Sequence, residues 1–299
     1  MTWLVFSFLS AFTFSVVTVM DKIVISKHVS SAKVFILGLG ITQTAMGFYV
    51  FPWLISHYPL IPSLIAVVSG VVCGIYLIIM FMAMESQDVS RLIPVVSTYP
   101  IFVAFLSYVF LGESIGIYVW FSILLTVSGA VMVSLGPSQS GRPSTSITLM
   151  VLLFFASMCF GLSQFLAKII VDDMELWPQF MLRGLGVGMA SFFVIFYPGV
   201  KTGFIQLVKT PKSFLLFFFS EGILAFAAIA FFYFAIYAGE VYLVSTVMSS
   251  RPVFVFFLGI VLSLPFIKIL SERLEGKALY VRAVGTFMTV AGVSGVALL

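Results

Sequence analysis

The chain has 299 residues, of which 62% are hydrophobic and 9% charged, and its mean hydropathy is +1.21. A soluble domain carries about 25% charged residues, so a water-soluble enzyme or binding module is excluded and a membrane protein is indicated. The net charge of +4 is scattered through short loops; it makes no nucleic-acid face and fits the Lys and Arg excess of cytoplasmic loops.

Taken in order, ten apolar runs have about the 20-residue length that a bilayer core requires: 3–25, 33–54, 62–84, 90–111, 116–136, 147–170, 178–199, 212–238, 241–264 and 278–298. The first lacks a basic leader and outruns the apolar core of a signal peptide, so it reads as a retained span. Connections between runs are short and leave no room for a soluble domain. The most hydrophilic, Gly136-Pro137-Ser138-Gln139-Ser140-Gly141-Arg142-Pro143-Ser144, is a linker by composition and lies near the midpoint. Cys73 and Cys159 fall inside apolar runs without CxxC spacing, and His28 and His57 lie in separate loops and read as solvated. Disulfides, metals and cofactors are therefore not expected.

The midpoint linker prompts a search for an internal repeat. At one constant offset Phe14 falls on Phe160, Lys22 on Lys168, Ile23 on Ile169, Gly38-Leu39-Gly40 on Gly184-Leu185-Gly186, and Pro52 on Pro198. Slightly larger offsets place Ser97-Thr98-Tyr99-Pro100-Ile101-Phe102 on Ser249-Ser250-Arg251-Pro252-Val253-Phe254, Glu113 on Glu272 and Gly129 on Gly292. Apolar chains match easily by chance, so the Gly, Pro, Lys and Glu matches and their preserved order carry the weight. The expected fold is an all-α integral membrane protein of ten transmembrane helices, in two five-helix repeats over 1–136 and 147–299 joined by the linker 137–146. Five is odd, so the repeats cross the bilayer in opposite senses. Inverted repeats put a binding site at their interface near the midplane, and motion of one half against the other gives alternating access.

Polar groups inside apolar runs are costly and mark function by default. Arg251 and Pro252 interrupt the ninth run near its middle; the plain alternative is a structural arginine capping the carbonyls that the proline frees. At about 1.5 Å per residue, Glu221 lies roughly 14 Å inside the eighth run and Arg251 roughly 15 Å inside the antiparallel ninth. The two are expected to meet, directly or through a solute. Gln43, Gln164, Tyr76, Tyr99, Tyr233 and Tyr237 add polar anchors to aromatic walls, the usual lining of a small-molecule site; interhelical hydrogen bonding is the plain alternative for each. Pro100 and Pro252 are candidate hinges. Gly184-x-Gly186-x-Gly188 reads as helix packing, because no strand precedes it to make a nucleotide fingerprint. An intramembrane enzyme needs a nucleophile with a base, a carboxylate dyad or a metal cluster. The mid-span acids reduce to Glu221, so catalysis is not expected.

The pattern resembles the drug/metabolite transporter superfamily, in its ten-helix EamA-type branch. Lys22 and Lys168 at the ends of the first span of each half, Arg183, Ser97–Pro100 and Ser249–Pro252, Leu111-Gly112-Glu113 and, less cleanly, Leu270-Ser271-Glu272-Arg273 carry the resemblance. Leu37 stands where the family's first-half arginine is expected. The resemblance implies a secondary transporter of small organic solutes working without ATP. Amino acids or related amphipathic metabolites, moved outward and with a coupling proton on Glu221, are the expected cargo and mode. A lipid or lipid-headgroup flippase, or a channel or structural subunit, is the alternative.

Sidedness divides the two lines of reasoning. All Lys and Arg except Lys168, Arg183 and Arg251 fall on the side opposite the termini. The positive-inside rule makes that side cytoplasmic and both termini external, whereas the resemblance implies cytoplasmic termini. Trp3, Trp53, Trp120 and Trp177 all lie near the terminus-bearing side. The location expected is the plasma or inner membrane, crossed many times.

Overall fold

The computed structural model describes residues 2–49, 58–86, 92, 95–134, 147–262 and 277–298, and every regular element among them is helical. The long apolar stretches form α1 (Thr2–Lys27), α2 (Ala32–Tyr49) and α3 (Leu60–Ser86). Next comes α4 (Tyr99–Leu106), which continues as a π turn over Ser107–Leu111, and then α5 (Ile117–Ser134). The second half begins with α6 (Ile147–Lys168) and α7 (Leu176–Phe192), the latter ending in a 3₁₀ turn over Phe193–Phe196. A short helix, α8 (Val200–Lys209), precedes α9 (Pro211–Ala238), which contains a π turn at Phe218–Leu224. Two segments, α10 (Val241–Met248) and α11 (Arg251–Leu262), share the ninth apolar run, and α12 (Lys277–Ala297) closes the chain.

Seven of these stretches are long and apolar enough to cross a bilayer. The shorter apolar helices Ala32–Phe48, Tyr99–Leu111 and Ile117–Val133 fall where the second, fourth and fifth spans are expected. Large apolar side chains such as Phe12, Phe121, Phe155 and Phe219 point outward and are exposed, a surface suited to lipid rather than water.

Packing runs largely between the halves. α1 packs on α9 and on α10 and α11, while α6 packs on α3 and α4. α2 meets α7, α4 meets α10, and α5 meets α12. Small residues set the closest of these approaches. A Cβ on Gly184 would lie 2.7 Å from the Gln43 carbonyl oxygen, and one on Gly186 would lie 2.8 Å from the Gly70 Cα. One on Gly285 would lie 2.7 Å from the Gly129 carbonyl oxygen. The Gly184–Gly188 run is thus what seats α7 against α2 and α3, by the small-residue packing that membrane helices use in place of a hydrophobic drive.

Three expectations need correction or restriction. Residues 200–209 form a helix of their own rather than a loop, because Val200, Phe204 and Leu207 recur on one face and α8 lays that face against α2. His28 is not simply solvated, since its Nδ1 lies 2.9 Å from the Ser213 hydroxyl. The linker 137–146, His57, Trp53, Pro52 and the Leu270–Arg273 motif lie outside the described residues.

Candidate functional site

Two proline-marked breaks in the helices face each other. Residues 97–98 form a turn from which α4 starts, with Pro100 in its first turn. Residues 249–250 form a second turn, from which α11 starts with Arg251 and Pro252. Proline suits a first helical turn, where its missing N–H has no partner to lose. Side-chain hydroxyls bond the carbonyls left behind: Thr98 Oγ1 donates to Val95 O at 2.7 Å, Ser249 Oγ to Thr246 O at 2.8 Å and Ser250 Oγ to Val247 O at 2.6 Å. α6 holds the first break through Ser157, whose Oγ donates to Val96 O at 3.1 Å. α1 holds the second, with Ser15 Oγ 3.3 Å from Arg251 O and Thr18 Oγ1 accepting from Arg251 Nη2 at 3.0 Å.

Beside the breaks lies a cavity of about 120 Å³ bounded by α1, α2, α3, α6, α7, α9 and α11. At roughly 10–15 Å³ per water position it has room for about ten waters or one small metabolite. Two acids and two arginines line it: Asp21, Glu221, Arg183 and Arg251. Gln43, Gln164 and Tyr76 line it as well. A smaller chamber of about 40 Å³ adjoins it across Arg251 and holds Tyr99 and Pro252 in its wall. Tyr76 and Tyr99 flank Phe160, at 4.4 Å and 4.6 Å between ring centroids, and make one aromatic partition. Tyr99 also donates its hydroxyl to Ser245 O at 3.0 Å, tying α4 to α10.

Glu221 does not bond Arg251. Its carboxyl faces Asp21 instead, and Asp21 Oδ1 accepts from Ser220 Oγ at 2.8 Å. The π turn in α9 contains both Ser220 and Glu221; its wider turn re-aims these two consecutive residues toward α1. Arg251 instead stacks 4.8 Å over Phe14 and bonds Thr18. The mid-span acids are therefore two. Asp21 escapes a reading that ends the first span soon after it, but α1 continues to Lys27 and buries Asp21 to 4% exposure. The signal was present: Phe14, Val17, Thr18 and Asp21 fall on one helical face, and all four line the cavity.

Arg183, which in the sequence only carries the family resemblance, also belongs to the cavity wall. It is buried, its guanidinium carbon lies 5.8 Å from the Phe232 ring centroid, and its Nη1 has no hydrogen-bond partner. Gln164 Oε1 is likewise unpartnered. Buried polar atoms without partners are rare, and these two border open space. Tyr233 and Tyr237 share a helix face but stand away from the cavity. Tyr233 lies behind Arg183, and Tyr237 donates to Met174 O and, at 2.8 Å, to Gln179 Oε1. Pro100 is buried in the break and lines neither chamber. Lys168 closes the terminus-side corner, donating to Ile236 O at 3.0 Å and Gly239 O at 2.9 Å, which satisfies the free carbonyl end of α9. Among the described residues no cluster of three His, Cys, Asp or Glu side chains is placed to hold a metal.

Comparison with known proteins adds three findings. The model of the EamA-like transporter family matches residues 1–135. One solved structure, described only as a crystal structure of a protein, resembles the chain over 99% of its length and 98% of its own, with a TM-score of 0.70 and 13% identity. No curated protein matches.

Proposed function

We propose that this multi-pass membrane protein, whose residues 1–135 match the model of the EamA-like transporter family, is a secondary transporter of small organic solutes in the drug/metabolite transporter superfamily, working by alternating access between two inverted five-helix repeats. One observation supports this most: a cavity lined by two acids and two arginines lies among apolar helices from both halves. Charges at that depth are expensive and persist where they serve a pathway. The exchange-symmetric packing of the halves, with α1 on α9 as α6 is on α3, supports the repeat.

Proton coupling falls to the Asp21–Glu221 pair in this reading. Two carboxyl groups side by side in an apolar cavity share a proton, because two negative charges there repel strongly. Release of that proton as a cationic or zwitterionic solute arrives would couple the two flows, and we assign the direction as efflux. Arg183 and Arg251 suit the anionic end of the cargo, and the Tyr76–Phe160 wall its apolar part; amino acids and related amphipathic metabolites fit that combination. No catalytic role is proposed for the acids, which stand between arginines in a solute-sized space.

The test is counterflow in vesicles containing the purified protein, using a panel of labelled amino acids. Saturable exchange that is lost in Arg251→Gln is the expected result. Non-saturable flux, or full exchange by Arg251→Gln, rejects the carrier reading.

A further inference from the structure

The smaller chamber differs from the larger one in its chemistry. The two share Thr18, Tyr76, Met80, Phe160 and Arg251, but Asp21 and Glu221 border only the larger. Ser97 and Tyr99 reach the smaller chamber from the first break, and Ser249 and Pro252 from the second. α4 and α11 both begin there, so the positive dipole ends of two helices open on one small space. The opposite, carbonyl ends of the interrupted runs are already bonded by Thr98, Ser249 and Ser250. Arg251 adds a full charge; of its five N–H donors one is given to Thr18. Ser97 is 6% exposed and lines the chamber, and its hydroxyl has no hydrogen-bond partner among the described residues.

We propose that this chamber is an anion subsite that takes the carboxylate of the solute, while the remainder of the molecule lies in the larger chamber toward Asp21 and Glu221. The assignment rests on the transport reading only for what brings the solute in; occupancy of the chamber is testable without transport. The volume of about 40 Å³ corresponds to roughly three water positions, which matches a carboxylate carbon and its two oxygens. A phosphate ester brings a second negative charge, and the chamber wall supplies only the one guanidinium of Arg251 to meet it. Thr18 and Asp21 sit about one turn apart on α1, so the positive and negative poles lie on the order of 5 Å from each other. That separation suits a carboxylate and an ammonium carried on the same or adjacent carbons.

The experiment places a reporter thiol in each chamber. In a background with Cys73→Ala and Cys159→Ala, Ser97→Cys reports the smaller chamber and Val17→Cys the larger. Purified protein is labelled with an anionic (sulfonatoethyl) or a cationic (trimethylammonioethyl) methanethiosulfonate; in each case the thiolate displaces methanesulfinate and forms a mixed disulfide. The anionic-to-cationic rate ratio removes differences in thiol reactivity. It is expected to be roughly ten-fold or more higher at position 97 than at 17, to collapse in Arg251→Gln, and to fall when sodium acetate but not inorganic phosphate is present. An equal ratio at the two positions, a ratio unchanged in Arg251→Gln, no reaction at 97 in folded protein, or better protection by phosphate than by acetate each overturns the assignment. If Ser97→Cys fails to fold, Ser249→Cys serves as the reporter with the same expected outcomes. Intact counterflow beside a failed ratio sinks the subsite alone. A preserved ratio without counterflow keeps the subsite and sinks the transport reading.

Discussion

The two helix breaks present the same backbone with different chemistry. At each, a turn precedes a helix with proline in its first turn, and a helix from the start of one half lies against it: α6 at the first break, α1 at the second. Tyr99 occupies the place in the first that Arg251 occupies in the second. Where Ser15 on α1 reaches the Arg251 carbonyl, Gly161 on α6 approaches the Tyr99 carbonyl, its built Cβ lying 3.1 Å away. Tyr99 is satisfied by one bond to Ser245 O and completes an aromatic wall. Arg251 keeps donors in hand and divides two chambers. Shape is thus duplicated and charge is not: one break braces the cavity, and the other carries a cation into it.

The largest expected effect follows from removing that asymmetry. Arg251→Gln is expected to abolish solute exchange in vesicles while leaving folded protein in the membrane. Tyr99→Phe loses one neutral hydrogen bond, about 1 kcal/mol, and should retain most of the exchange. Comparable losses in the two variants would show that the breaks are equivalent after all.

Next in size is the separation of coupling from exchange. Asp21 and Glu221 line the larger chamber and not the smaller one that the two breaks share, so Glu221→Gln should lose pH-gradient-driven accumulation yet keep exchange. Asp21→Asn should behave in the same way if the proton belongs to the pair. Accumulation that survives both substitutions would remove the acids from coupling.

The prolines give a smaller contrast. Pro100→Ala and Pro252→Ala should each slow turnover more than they weaken binding, and Pro252, which lines a chamber, should show the larger effect of the two. Unchanged rates in both would make them tolerated features of the breaks.

The smallest effect concerns the end of the helix that follows the first break. Gly112 takes a left-handed φ of 66° and turns the chain so that Glu113 comes beside Glu240. Burial, reinforced by the Glu240 carboxylate, pushes the Glu113 carboxyl from 4.5 up to about 7. A raised acid holds its proton in the folded state, so its contribution is full below about pH 4.5 and is lost as pH rises through 7. Melting temperature should therefore fall over that window, and Glu113→Gln should flatten the fall. A profile identical to that of the unsubstituted protein would mean that the Glu113–Glu240 contact does not form in solution.

Much of this arrangement was legible in the residues. Arg251, Glu221, Gln43, Gln164 and Tyr76 stand out because nothing else polar surrounds them in their runs, and all five line the cavity. Asp21 was hidden by its neighbour Lys22, which makes the helix end look like a loop, although its face was readable from Phe14, Val17 and Thr18. Tyr233 and Tyr237 show the limit of periodicity: spacing tells which residues share a face, not which neighbour that face meets. The π turn at Phe218–Leu224 has no sequence signature, so the partner of Glu221 was assigned by depth and came out as Arg251 rather than Asp21. The helix α8 was missed because its flanking lysines outweigh its three apolar contacts.

The hydroxyls of Thr98, Ser249 and Ser250 also bear on speed. A backbone carbonyl stripped of its partner in a lipid-like interior costs several kcal/mol, and a helix that flexed by breaking its ladder would pass through such states. Each of these side chains already holds a carbonyl of the preceding turn and can follow it through a small rotation as the angle at the break changes. The joints can thus bend without admitting water and without exposing an unbonded oxygen. Bending at such joints belongs to the microsecond-to-millisecond range of hinge motions.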